Sequence, residues 1–353
     1  TGNFEYYWRP DKTRSLNIKL IDIEYVDNRA TNNYFNVYRN SYERLNNISK
    51  TILGVDTTYF NSEDNLLIPS GTDNFINDVL SLDTSVNSED EIYSNILNIN
   101  ERKNRLTANN FIVGSSFTYS KNNQESILDE NFSQFKFKSE LVGNLLSLGM
   151  KLGGVKSNKN GYREIFNLAP SQYFKSEVDY IKHLSVGFKR VFAFRTFIGI
   201  AIPFGNSNFI PFTRSYYAGG SNDNRAWQAY KLGPGSSSRF NEFNEANFKI
   251  AFNVEYRYPI IRRLNGAFFI DIGNIWNFKN NVSDSAQVFN NLRDLSELAI
   301  GSGFGLRYDF DYFIFRLDIG FKTYDPSIIK AERWFSQLNI KKAVFNVGIN
   351  FPF

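Results

Sequence analysis

From Asn247 the chain reads NFKIAFNVEYRY. Phe248, Ile250, Phe252, Val254, Tyr256 and Tyr258 fall on one side of an extended chain, while Asn247, Lys249, Asn253, Glu255 and Arg257 fall on the other. A period of two sustained over a dozen residues belongs to a β-strand and to no helix. The pattern returns where Phe313, Phe315, Leu317, Ile319 and Phe321 alternate with Arg316, Asp318 and Lys322. It returns again where Phe345, Val347, Ile349, Phe351 and Phe353 alternate with Asn346, Gly348 and Asn350. Between these segments, Gly301, Gly303 and Gly305 occupy one side only. Strands of a soluble sandwich alternate too, but they average about five or six residues. A strand tilted across a bilayer needs about 9–11 residues, and closing the sheet pairs the backbone groups that lipid cannot satisfy. The pattern therefore predicts an all-β fold, an antiparallel transmembrane β-barrel. Phe248, Phe252, Phe315, Ile319 and Phe345 are expected to face lipid, and Lys249, Arg257, Arg307 and Asp318 the lumen.

Composition removes competing classes. The 353 residues include 35 Phe and 20 Tyr, an aromatic load that suits lipid-facing strands. No uninterrupted apolar run is long enough for a membrane-spanning helix. Cysteine is absent and His183 is the single histidine, so disulfide frameworks, thiolate metal sites and most imidazole chemistry are excluded, and no cofactor is expected. The 40 basic and 36 acidic side chains nearly cancel and form no long basic block, which argues against nucleic acid as a partner.

Strands are expected at 3–9, 15–26, 110–120, 130–146, 171–183, 189–203, 246–258, 264–276, 297–309, 312–323 and 342–353. Their connections alternate short and long, as in barrels with short periplasmic turns and long extracellular loops. Single-chain bacterial barrels have an even number of strands, so an odd count implies either one missed strand or a chain that enters partway round a barrel, and the second is expected. The segment 27–109 exceeds a simple loop. DNFINDVLSL and DEIYSNILNINERKNR within it have helical spacing, which predicts a small extracellular insertion. Its carboxylates match no recognised calcium-loop spacing.

Another of the long loops, 204–245, contains YYAGGSNDNRAWQAYKLGPG. With the following NVEYRYPI and GAFFIDIGNIW and a C-terminal strand ending in Phe353, it resembles the BamA/TamA superfamily of outer-membrane assembly barrels, the bacterial surface antigen family. The Asn-Arg-Ala-Trp motif and the adjacent LGPG look most like the TamA-like (TamL) members of Bacteroidota. The resemblance covers residues 110–353 and 1–26, and 27–109 looks like a lineage-specific insertion. It implies a 16-stranded barrel of which strands six to sixteen are present in 1–353, the N-terminal strands and POTRA domains being missing. It also implies that loop 204–245 folds into the lumen. There Asn224, Arg225, Ala226 and Trp227 form the motif, and Arg225 sits against wall carboxylates matched by Glu255 and Asp271. A guanidinium suits such a pocket because it binds carboxylates bidentately and stacks on aromatic rings. Ala226 stands where the wider family usually has Gly, and a Cβ there penalises positive φ.

The function implied by the resemblance is insertion or export of other outer-membrane or surface proteins through a lateral seam in the barrel. The last strand, with Phe345, Gly348, Phe351 and Phe353, would form the gate by pairing with an incoming strand. The implied surroundings are the outer membrane of a Gram-negative bacterium and its lipids, unfolded protein substrates, and a periplasmic or inner-membrane TamB-like partner. No catalysis is required. Two alternatives share parts of this pattern: a two-partner-type secretion pore, and an outer-membrane hydrolase using His183 near Ser185. A passive porin is disfavoured because a loop tucked into the lumen obstructs flow.

Overall fold

A computed structural model describes the chain apart from residues 30, 127–128, 158–162, 164–169, 206, 238–242 and 281. Its centre is an eleven-stranded antiparallel sheet in which every strand lies beside its sequence neighbour. The strands are β1 (Gly2–Trp8), β2 (Arg14–Val26), β3 (Asn110–Asn122), β4 (Ser133–Val142), β5 (Tyr173–Gly187) and β6 (Arg190–Pro203). They continue with β7 (Phe248–Ile261), β8 (Leu264–Trp276), β9 (Ala299–Asp309), β10 (Ile314–Tyr324) and β11 (Val344–Ile349). Turns as short as residues 188–189 and 262–263 join strands at one end, and the long connections lie at the other. Among the described residues no helix is long and apolar enough to cross a membrane.

Alternation sorts the two faces. On β7 to β11, Asn253, Glu255, Arg257, Asp271, Arg307, Arg316, Asp318 and Asn346 are buried on the inner face. Phe268, Ile270, Phe304, Leu306, Phe315, Phe345 and Val347 are exposed on the outer one. Apolar exposure beside polar burial inverts the soluble arrangement and is what hydrocarbon outside and a packed polar interior require.

Several strand bounds differ from the sequence expectation by a few residues, β5 running on to Gly187 instead of 183, and two strands end four residues early. Strand β4 stops at Val142 instead of 146, because Gly143 at φ 81° turns the chain into helix α5 (Asn144–Leu152), which replaces the expected end of the strand and the start of the expected loop. The terminal strand stops at Ile349, so Phe351 and Phe353 lie outside it. Asn350 adopts φ 65°, a left-handed conformation that Asn tolerates better than most residues, and Pro352 brings no N–H for a ladder. The chain bends inward, and the Phe351 ring lies 3.7 Å from the Arg257 guanidinium instead of facing lipid.

Between β2 and β3 the chain forms four helices: α1 (Tyr34–Val37), α2 (Arg39–Ser49), α3 (Ser70–Leu80) and α4 (Glu91–Thr107). Phe35, Leu45, Leu66, Phe75, Ile96 and Ile99 are part of a core separate from the sheet. Within this unit Tyr59 donates to Asp78 at 2.7 Å, a bond that pushes the phenol up to about 12. The helical unit rests on the long connections of the barrel. Arg105 pairs with Glu245 at 2.5 Å, Arg102 donates to the Phe243 carbonyl at 2.6 Å, and the Ser283 hydroxyl donates to Glu101.

Candidate functional site

Residues 204–247 leave β6, cross the inner face and return to β7. Tyr216 and Ala246 exchange two main-chain bonds, so the excursion between them is closed at its base. Its tip is a tight turn in which the Asn224 carboxamide accepts from the Ala226 N–H at 3.3 Å and the Asn224 carbonyl accepts from the Trp227 N–H at 3.2 Å. Ala226 is not among the described residues with positive φ, so its Cβ costs nothing in backbone conformation. Trp227 is buried with Tyr216, Ala218, Leu232 and Ile275, which fastens the loop to the wall by apolar contact.

Arg225 extends from this turn onto the wall and is fully buried. Its Nε and Nη2 donate to the two oxygens of Asp271 at 2.8 and 2.9 Å, and its own main-chain N–H donates to the same carboxylate at 3.0 Å. Nη1 donates to Glu255, and the guanidinium carbon lies 3.6 Å from the centre of the Phe269 ring. The structure thus brings together Arg225, Glu255 and Asp271, with Asn224 also donating to the Asp271 carbonyl at 3.3 Å.

A wider charge network surrounds the pair. Arg307 bridges Glu255 at 2.9 Å and Asp318 at 2.5 Å, Arg257 donates to Glu255 at 2.7 Å, and Arg316 lies 3.5 Å from Asp318. Four guanidiniums meet three carboxylates. The excess positive charge falls to Arg316, which donates to the Ser221 carbonyl at 2.9 Å and the Asn222 side-chain oxygen at 2.7 Å. Oriented dipoles of the loop therefore offset the cation that lacks a full counter-charge. Removing one member of such a network strands the others without water, so the loop and the wall depend on each other.

Glycines on the wall make the close approach possible. A Cβ on Gly320 would lie 2.4 Å from the Arg225 carbonyl oxygen, and one on Gly301 would lie 2.7 Å from the Ala226 Cβ. Gly301 of β9 and Gly320 of β10 are therefore the floor on which the loop tip rests, while Gly303 and Gly305 leave room for the Phe269 ring and for the Asp318 and Arg307 side chains. The alternation marked Arg307, Arg257 and Asp318 as inward but assigned them no partners. The contributions of Phe269, Gly320 and Asn346 were missed, and their signal was again the inward position on alternating strands.

The residues expected to form a terminal gate are divided. Phe345 and Gly348 lie in β11, whereas Phe351 and Phe353 follow the bend into the interior. The Phe353 carbonyl accepts from Arg257 at 3.3 Å and from His183 Nε2 at 3.2 Å. His183 is buried against Phe132, and the Ser185 hydroxyl donates to Glu130 at 3.0 Å, so the two residues do not form a nucleophile and base pair.

No curated protein matches the chain. Its fold is similar to the crystal structure of BamA from Haemophilus ducreyi lacking POTRA domains 1-3, with a TM-score of 0.50 at 11% identity, over 97% of this chain and 52% of that one. The chain spans about half the length of that solved structure. The Omp85 superfamily domain matches residues 1–351, and the chain accordingly belongs to the Omp85 superfamily.

Proposed function

We propose that the protein is an outer-membrane assembly or translocation factor of a Gram-negative bacterium, one that inserts or exports other outer-membrane or surface proteins. In this reading it is TamA-like, of the kind found in Bacteroidota. Its outer face contacts membrane lipid, its substrates arrive unfolded, and a TamB-like partner delivers them. The work is done by strand pairing at a lateral seam.

The observation that carries the proposal is the shortness of β11 and of its ladder. This strand has six residues and pairs over Phe315–Gly320 of β10, whereas β7 and β8 pair from Phe248 to Ile261. A short edge strand costs little to release and offers unpaired N–H and C=O groups to an incoming strand. The inward bend at Asn350 shortens that ladder further than the sequence pattern suggested.

The test uses the full-length protein in liposomes with an unfolded outer-membrane protein as substrate. Substrate insertion should proceed faster than into empty liposomes. A disulfide joining β11 to the first strand of the complete barrel should stop it while the barrel stays folded. Full activity of the locked protein would overturn lateral opening, and insertion no faster than in empty liposomes would overturn the assembly role.

A further inference from the structure

The loop tip reaches beyond β7 and β8 to the last strand. Asn346 faces inward on β11, directly paired with Asp318 of β10, and is buried. Its Nδ2 donates to the main-chain carbonyl of Arg225 at 2.9 Å. That carbonyl can come so close because Gly320, on the neighbouring strand, has no side chain to block it. Two residues along, Gly348 pairs with Arg316, and a Cβ there would lie 2.4 Å from Arg316 Nη2. Gly348 thus leaves room for the guanidinium that holds Ser221 and Asn222 of the loop. The inward residues of the short strand are therefore shaped to the loop.

The direction of dependence follows from how firmly each partner is held. Arg225 is fixed by three bonds to Asp271 and one to Glu255, none of which involves β11. Strand β11 has a ladder of six residues on one side and, toward the interior, the bond from Asn346. A buried carbonyl loses that donor if the strand departs, and the penalty for an unpaired buried acceptor adds to the cost of breaking the ladder.

We propose that Asn346 is a positioning residue that latches the terminal strand to the seated loop, so that freeing β11 requires breaking this bond or unseating Arg225. The functional meaning of the latch rests on the lateral-opening reading above; its existence does not.

The test measures hydrogen exchange of the full-length protein in lipid nanodiscs by mass spectrometry, for the wild type, Asn346→Asp and Asn346→Ala. The aspartate keeps the shape of the side chain, removes the donor and sets an oxygen against the Arg225 carbonyl. Peptides covering 344–349 should exchange about tenfold faster, as loss of one buried hydrogen bond implies. Peptides covering 219–229 should keep wild-type protection, because the bonds to Asp271 persist. Arg225→Ala should release both segments. Unchanged exchange at 344–349 in both Asn346 variants overturns the latch. Equal loss of protection in the two segments overturns it also, since Asn346 would then be a general packing residue. Should the aspartate variant fail to fold, the alanine variant decides by the same two readings. Substrate insertion is measured separately. Faster strand exchange with an unchanged insertion rate supports the latch and counts against lateral opening.

Discussion

Arg225 meets Asp271 three times, through its main-chain N–H at 3.0 Å and through Nε and Nη2 at 2.8 and 2.9 Å, so one carboxylate fixes both the backbone and the side chain of the loop tip. Arg225→Ala leaves Asp271 and Glu255 buried without their cation, which should cost about 3–5 kcal/mol. Arg225→Lys keeps the charge but loses the fork that engages two oxygens of one carboxylate, and should cost about 1.5–3 kcal/mol. Thermal unfolding of the full-length protein in detergent compares the two. A lysine variant as stable as the wild type would show that charge alone holds the loop.

The approach of the loop to β10 is limited by backbone and not by a flexible side chain. Gly320→Ala places a methyl group 2.4 Å from the Arg225 carbonyl oxygen, and neither side can yield without moving the turn or the strand. Overpacking of this kind costs about 1–3 kcal/mol. Gly149→Ala is the matched control. It lies in α5 with no atom within 4 Å of the added carbon, and should be neutral or stabilising by about 0.5–1 kcal/mol through helix propensity. Loop protection in hydrogen exchange should fall in the first variant and not in the second.

The strands and their faces were legible because a barrel wall imposes one rule at every position: apolar outward, polar inward. Glu255 and Asp271 could be placed on the inner wall by that rule before any contact was known. Asn346 could be placed there too, but its partner could not be named, because the bond to Arg225 joins residues 121 apart in sequence and depends on how far the loop penetrates. The bend at Asn350 escaped notice for a different reason. Alternation records which side a residue faces only while the chain stays extended, and a left-handed φ at one residue ends that relation. Helix α2, RNSYERLNNIS, is so polar that its apolar stripe is reduced to few residues, and its spacing does not mark it as a helix in the way that α3 and α4 are marked.

The bend itself can be tested at Phe351. The ring covers the Arg257 guanidinium at 3.7 Å, and Arg257 also donates to the Phe353 carbonyl, so ring and carbonyl draw the segment inward together. Phe351→Ala should cost about 2 kcal/mol, the scale of a desolvated cation–π contact, and Phe351→Trp should retain most of it. A spin label at residue 352 should be immobile in the wild type and mobile in the alanine variant. Equal mobility in both would mean that the stacked ring does not hold the bend.

The helical unit between β2 and β3 supports a prediction in which a point substitution harms more than a deletion. Val26 and Asn110 pair directly, so a short turn can replace residues 27–109 without disturbing the ladder, and the unit takes its own core away with it. What remains behind is Glu245, a carboxylate buried beneath α4 and paired with Arg105 at 2.5 Å. Excision returns this carboxylate to water and removes the reason for its pairing. Arg105→Ala instead keeps the helices overhead and strands the charge, at a cost of about 3 kcal/mol, the low end for a broken buried pair because Arg105 is itself partly exposed. The excised protein should therefore form a folded barrel with near wild-type unfolding of the sheet. Arg105→Ala should show the lower melting temperature and faster exchange at 243–246. Failure of the excised chain to fold, or an Arg105→Ala protein more stable than the excised one, would mean that the helical unit supports the sheet itself and does not merely cover the loop.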